Sequence, residues 1–181
     1  MNNPLDEHWI LTHTGRKFHY LDPKPEEICI EDIIHHLSLL CRFTGACHNF
    51  YSVAEHSIRV SRIVPKELRL SALLHDAAEA YLNDISRPVK YSHKLDETEH
   101  KILDVIAKKF NIEPHHPEVK KADDILLATE RRDLMIHTND KWSNLVEPLE
   151  ERIIPVPHVN VVKTTFWYIY NKCLELTNAK A

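Results

Sequence analysis

The sequence predicts an all-α protein folded as a single-domain bundle of about six helices. Three observations carry that expectation. Apolar residues recur at helical spacing through six separate stretches. Glycine occurs only twice, at Gly15 and Gly45, which leaves a hairpin-rich β fold without its turn residues. Hydrophobic residues make up 43% and charged residues 28% of the chain, an ordinary globular balance that excludes wholesale disorder.

Residues 1–25 are polar and turn-rich, with a turn at Thr14-Gly15-Arg16-Lys17 and an extended connection at Leu21-Asp22-Pro23-Lys24-Pro25. The first helix is predicted over 31–41, opened by Glu31 and Asp32, with Ile33, Ile34, Leu37, Leu40 and Cys41 as its apolar stripe. Residues 43–51 read as a loop. The second helix covers 52–64, with Ser52 as N-cap and Glu55 as its capping-box partner. Its stripe is Val53, His56, Val60, Ile63 and Val64, and Pro65 ends it. The third covers 66–82, with Leu68, Ala72, His75, Asp76 and Glu79 on one side. Residues 83–90 form a loop holding Asp84, Arg87 and Pro88. A fourth helix covers 96–110, with Ile102, Val105 and Ile106 inward. After a break at 115–117, a fifth covers 118–135, with Val119, Ala122, Asp123, Leu126 and Leu127 together. Residues 140–157 are irregular. The last helix, 158–176, closes the core with Phe166, Trp167, Tyr168 and Tyr170. No repeat or long linker divides the chain, so one domain over 1–181 is expected.

Composition narrows the function. At 181 residues, roughly 70% of the unfolded surface can be buried, so no disulfide or metal is needed merely to fold. The net charge of −4 gives no basic excess for nucleic acid or a membrane surface. The scarcity of glycine removes dinucleotide-binding, Walker and nucleophile-elbow loops. Cys29, Cys41, Cys47 and Cys173 form no C-x-x-C pair, and residues 1–8 are too polar for a signal peptide. No apolar run approaches the roughly 18 residues of a membrane helix. A soluble, cytoplasmic protein with free thiols is expected. Histidine, at 14, is what the composition leaves to be explained.

Three helices place ionisable residues where a core should be: His56 in the second, His75, Asp76 and Glu79 in the third, Asp123 in the fifth. Burying unpaired carboxylates is very costly, but burying them around a cation is not. Two imidazoles and two carboxylates make a divalent-metal shell. Glu79 follows His75 by four residues and Asp76 by three, which puts it beside the ion without its being a ligand. That is the place for a base acting on water.

This pattern resembles the HD-domain metal-dependent phosphohydrolases, defined by H…HD…D on a helical bundle. It reads here as Ala54-Glu55-His56-Ser57, then Leu74-His75-Asp76-Ala77-Ala78-Glu79, then Val119-Lys120-Lys121-Ala122-Asp123. The resemblance spans about residues 30–135. It is closest to the 5′-deoxynucleotidases and small phage-type deoxynucleotide phosphohydrolases, through Arg42 and Asp84-Ile85-Ser86-Arg87-Pro88-Val89-Lys90. By that resemblance Arg42 and Lys90 approach substrate phosphate. Glu79 and Asp84 serve the catalytic water, the sugar or an additional ion. The metal is Mn, Fe, Co or Zn, with Mg at a second site as an option. The expected substrate is a small nucleotide, with no nucleic-acid partner, no membrane and a homo-oligomeric assembly. A deoxynucleoside 5′-monophosphate phosphatase is the leading reading; a deoxynucleoside triphosphate triphosphohydrolase and a non-catalytic binding module are the alternatives. Glu130-Arg131-Arg132-Asp133 reads as a salt-bridged helix face, from which one Arg could reach a phosphate, the Phe166–Tyr170 cluster as core or subunit contact, and His35-His36 and His115-His116 as surface histidines.

Overall fold

The computed structural model describes residues 8–139, 142 and 146–178. The expected stretch 1–8 therefore lies, apart from His8, outside the described residues, as does part of 140–157. Among the described residues the predicted periodicity resolves into eight α-helical segments: α1 (Ile30–Leu39), α2 (Val53–Ile63), α3 (Arg69–Leu73), α4 (Glu79–Leu82), α5 (Arg87–Ser92), α6 (Leu95–Phe110), α7 (Pro117–Leu134) and α8 (Val159–Asn178). The all-α class is as expected. The only sheet among the described residues is a hairpin of β1 (Ile10–Leu11) and β2 (Lys17–Phe18), paired antiparallel around the expected turn. Gly15 adopts a φ of 82° in that turn, a conformation open to glycine at little cost. Among the described residues no helix is long and apolar enough to cross a membrane.

Two differences from the sequence expectation raise the helix count. The loop predicted over 83–90 contains the start of α5, which Pro88 enters in its first turn, where a proline is tolerated. The helix predicted over 66–82 is broken between α3 and α4. The cause is a side chain. His75 Nδ1 lies 2.8 Å from the Ala72 carbonyl oxygen, the acceptor that a helical amide at Asp76 would use. The chain then tightens: Ala77, Glu79, Ala80 and Tyr81 each donate to the carbonyl three residues back. His75 and Asp76 thus leave the backbone at an interruption.

α2 is the axis on which the rest is hung. Eight of its eleven residues are buried, including Glu55, His56, Ser57 and Ser61. One side joins a large core of Ile33, Ile34 and Leu37 from α1, Leu73 from α3, Ile102 and Ile106 from α6, and Phe166 from α8. The other side joins a smaller core with Tyr51, Val119, Ala122, Leu126 and Ile153, mostly from α7. The Ser52 hydroxyl caps α2 by accepting from the Glu55 amide at 3.1 Å. The reciprocal half of the expected capping box is absent: the Glu55 carboxylate instead accepts from Arg59 at 2.7 Å and from the Val156 amide at 3.1 Å. Of the α8 aromatics, Phe166 and Tyr170 are buried as predicted, whereas Tyr168 is 63% exposed.

The chain between α7 and α8 has no regular structure of its own among the described residues, and the last turns of α7 hold it. Thr129 Oγ1 accepts from the Leu149 amide at 2.9 Å, Asp133 Oδ2 accepts from the Ile153 amide at 2.8 Å, and Arg132 donates to the Leu149 and Glu151 carbonyls. His35 and His36 are half-buried rather than surface residues. His36 takes the His13 amide at 3.1 Å on one nitrogen and donates to the Ala80 carbonyl at 2.7 Å from the other.

Candidate metal centre and cleft

The polar stripe of α2 meets the α3–α4 interruption and the first half of α7 at one point. His56 Nε2 lies 3.3 Å from His75 Nε2, 3.3 Å from Asp123 Oδ1 and 3.5 Å from Asp76 Oδ2. Asp76 Oδ1 is 3.3 Å from His75 Nε2. All four expected ligands therefore share one site. Three of them, His56, His75 and Asp123, offer donor atoms that all lie within 4.8 Å of one another.

The other ring nitrogens are already committed. His56 Nδ1 donates to Glu130 Oε1 at 2.7 Å, and His75 Nδ1 donates to the Ala72 carbonyl. If both rings are neutral, these bonds leave the Nε2 lone pairs facing one another across 3.3 Å. That is repulsive unless a positive charge sits between them; without an ion, a proton on Nε2 can take its place. Carboxylate oxygens of Asp76, next to His75, and of Asp123, on α7, surround the same point. A site that orients two imidazole lone pairs and two carboxylates inward suits a divalent transition metal in chemistry and in ligand type.

Charge is balanced within the centre. Burial and Arg42 push the His56 pKa down, but Glu130 and the bond to Asp123 overcome them and hold it up at about 9. Burial pushes Asp123 up, yet hydrogen bonds from His56 and His75 bring it well below the usual carboxylate range. Asp76 is opposed by burial in the same way and lowered by the same two imidazoles. Glu79 goes the other way: burial, then Asp76 and Asp84, raise it well above an ordinary glutamate.

The centre opens into a cleft with a volume of about 750 Å³, lined by Arg42, Asp76, Glu79, Asp84, Lys90 and Asp123 among others. The four expected catalytic and substrate residues, Arg42, Glu79, Asp84 and Lys90, thus line one cleft, but three of them make side-chain hydrogen bonds within the protein. The Arg42 guanidinium is almost buried, 3.4 Å from Asp76 Oδ2 and 3.2 Å from Glu130 Oε2. Lys90 Nζ is 2.6 Å from Glu99 Oε2 and 3.8 Å from Glu79 Oε1. Asp84 Oδ2 accepts from the Phe43 amide at 2.9 Å. Glu79 is the exception: its Oε2 is buried with no hydrogen-bond partner among the described residues. A carboxylate that is buried, short of donors and turned to a cleft is poised to accept a proton from something that enters.

The loop bearing Arg42 is closed at its base. The Arg42 amide donates to the Tyr51 carbonyl at 2.9 Å, and the Val53 amide donates to the Leu40 carbonyl at 3.0 Å. Phe43 and Thr44 then adopt φ of 56° and 55°, followed by Gly45 at 82°. Two successive side-chain-bearing residues in the left-handed region are a source of strain, about 1 kcal/mol or more each. The bond from Asp84 and the closure at Tyr51 keep them there.

Glu130 corrects the sequence reading. It was expected within a salt-bridged helix face with its sequence neighbours, but it is fully buried and touches both His56 and Arg42. Burial raises its pKa, and Arg42 and His56 lower it further, so it is an anion in the interior. It fixes the tautomer and the plane of the His56 ring, as a carboxylate behind a metal-bound histidine commonly does. The signal was available: Glu130 follows Asp123 by seven residues, two helical turns, and so lies on the same face of α7. Its neighbours do form a salt bridge as predicted, Arg132 pairing with Asp133 at 2.8 Å, although the Asp133 side chain is itself largely covered.

No family model matches the chain. It is 38% identical over 172 residues, 94% of its own length and 94% of the relative's, to the uncharacterized protein YfdR of Escherichia coli strain K12. It is 42% identical over 91 residues to an uncharacterized protein of Rhodobacter capsulatus, covering 45% of this chain and 46% of that one. The extent of the first match means that the chain belongs to the YfdR family.

Proposed function

We propose that the protein is a metal-dependent phosphohydrolase of the HD type that acts on deoxynucleoside 5′-monophosphates. The observation that carries this reading is the convergence of His56, His75, Asp76 and Asp123, from three parts of the fold, at the floor of a cleft that also holds Glu79. The four side chains would hold one divalent ion. Such an ion supplies a water of lowered pKa and polarises a phosphate oxygen.

The remaining roles belong to the chain. Glu79 accepts a proton as a water oxygen bonds to phosphorus and the bond from phosphorus to the 5′ oxygen breaks. Returning that proton to the leaving oxygen completes a nucleoside and inorganic phosphate. The raised pKa of Glu79, from burial and then Asp76 and Asp84, makes it a stronger proton acceptor than an ordinary glutamate. Lys90 is held at the cleft by Glu99, close enough to Glu79 to present its ammonium to a phosphate. Arg42, fixed between Asp76 and Glu130, adds fixed positive charge at the same end. Asp84 uses Oδ2 on the Phe43 amide and can offer Oδ1 to a sugar hydroxyl.

The test is a panel of ribo- and deoxynucleoside mono- and triphosphates with added Mn, Fe, Co, Zn and Mg. Phosphate, pyrophosphate and triphosphate are scored separately. Phosphate release from deoxynucleoside monophosphates supports the reading. Triphosphate as the product moves the protein to the triphosphohydrolase class, and no turnover with any ion leaves a binding module.

A further inference from the structure

Part of the cleft wall is apolar, and nothing in phosphate hydrolysis requires that. Phe43, Leu127 and Trp142 line it together with Ile85 and Pro88. Leu127 follows Asp123 by four residues on α7, so it stands one turn, about 6 Å along the helix axis, from the metal centre. That is the spacing a pentose introduces between a phosphate and what the sugar carries.

Trp142 has the environment of a platform. Its ring meets that of Phe43 at a centroid distance of 6.3 Å and an interplanar angle of 57°. The Arg131 guanidinium carbon lies 4.9 Å from its ring centroid. Arg131 lines a separate, smaller cavity of about 200 Å³ and not the main cleft. The guanidinium thus packs on the indole from a residue outside the main cleft, and the indole, 38% exposed, lines that cleft. Large aromatic side chains left half-exposed in a cleft bind flat apolar groups well. The backbone agrees. Phe43 reaches this wall from a left-handed φ of 56°, held by Asp84, so strain is retained where the ring is presented.

We propose that Phe43, Leu127 and Trp142 form a stacking subsite for the planar base of the substrate, which makes a base-bearing phosphoester, and not a bare sugar phosphate, the preferred ligand. This rests on the phosphohydrolase reading above and specifies which end of the substrate the cleft selects. Stacking on an aromatic side chain is worth tenfold or more in binding, and it tolerates any base because each has a π face.

The experiment compares kcat/KM for deoxyadenosine 5′-monophosphate and 2-deoxyribose 5-phosphate in the metal-loaded wild type, Trp142→Leu and Trp142→Phe, with folding checked by circular dichroism. The wild type should favour the nucleotide by about tenfold or more. Trp142→Leu should lose about tenfold of that ratio and Trp142→Phe should keep most of it. Equal use of both substrates by the wild type, or an unchanged ratio in Trp142→Leu, overturns the subsite and leaves the phosphohydrolase standing. If neither compound is hydrolysed with any ion, the phosphohydrolase reading fails and binding decides the subsite. Of the three tryptophans only Trp142 lines the cleft. Deoxyadenosine 5′-monophosphate should then quench indole emission in the wild type and not in Trp142→Phe. No quenching, or equal quenching in both, overturns the proposal.

Discussion

Asp123 is a short side chain on α7, yet its Oδ1 reaches within 3.3 Å of a histidine on α2. Asp123→Ala should therefore abolish tight divalent-metal binding, measured by elemental analysis after gel filtration, while leaving the helical content intact. Glu79→Gln should keep the metal and lower kcat by roughly 10² to 10⁴, since a general base is lost and the shape is preserved. Wild-type kcat in that variant would remove Glu79 from the chemistry. Glu130→Gln should weaken metal affinity by roughly 10- to 100-fold, because the His56 ring loses the carboxylate that orients it. Unchanged affinity would mean that the packing of α2 alone sets the ring. Arg42→Ala is a poor probe of phosphate binding. Removing the guanidinium leaves Glu130 as an uncompensated buried anion, a loss of about 3–5 kcal/mol in folding stability. At this scale the sequence foretold the gathering of His56, His75, Asp76 and Asp123, because an ionisable residue on an apolar stripe needs an explanation. It was silent about partners: that Asp84 would hold the Phe43 amide, or that Lys90 would face Glu99, depends on loop geometry that spacing does not encode.

Helices with long periodic stripes were legible nearly to their ends. The predicted 96–110 and 118–135 correspond to α6 (Leu95–Phe110) and α7 (Pro117–Leu134). The break between α3 and α4 was not, because periodicity counts side chains and the break comes from a side chain taking a backbone acceptor. The six residues of α5 were missed because a segment so short, with Pro88 inside it, has no period to detect. Asp133 offers a test at this scale. Its bond to Arg132, with that to the Ile153 amide, holds its pKa below the usual value against partial burial. A carboxylate lowered by folding stabilises above its unfolded pKa of about 3.9, and that contribution disappears as the pH falls through the lower folded value. Asp133→Asn should cost about 1 kcal/mol in urea unfolding at pH 7. The difference from wild type should shrink steadily below about pH 4. A difference that persists undiminished at pH 2 would show that Asp133 acts through packing and not charge.

In the whole molecule the metal centre and the core are one construction. α2 lies between two hydrophobic clusters and carries His56 on the line where they meet, with Tyr51, Ala72 and Ala122 packed on one side and Ala54, Leu73 and Leu74 on the other. A ligand bound only by the folded chain raises stability by mass action, and a divalent ion at 100 times its Kd should add about 2.7 kcal/mol. The most direct test of the central claim is inorganic phosphate released from a deoxynucleoside 5′-monophosphate by chelator-stripped protein titrated with divalent metal. The account predicts no release without metal, recovery that saturates near one ion per chain, and no recovery in Asp123→Ala. Phosphate release that is indifferent to metal, or full recovery in Asp123→Ala, would contradict it.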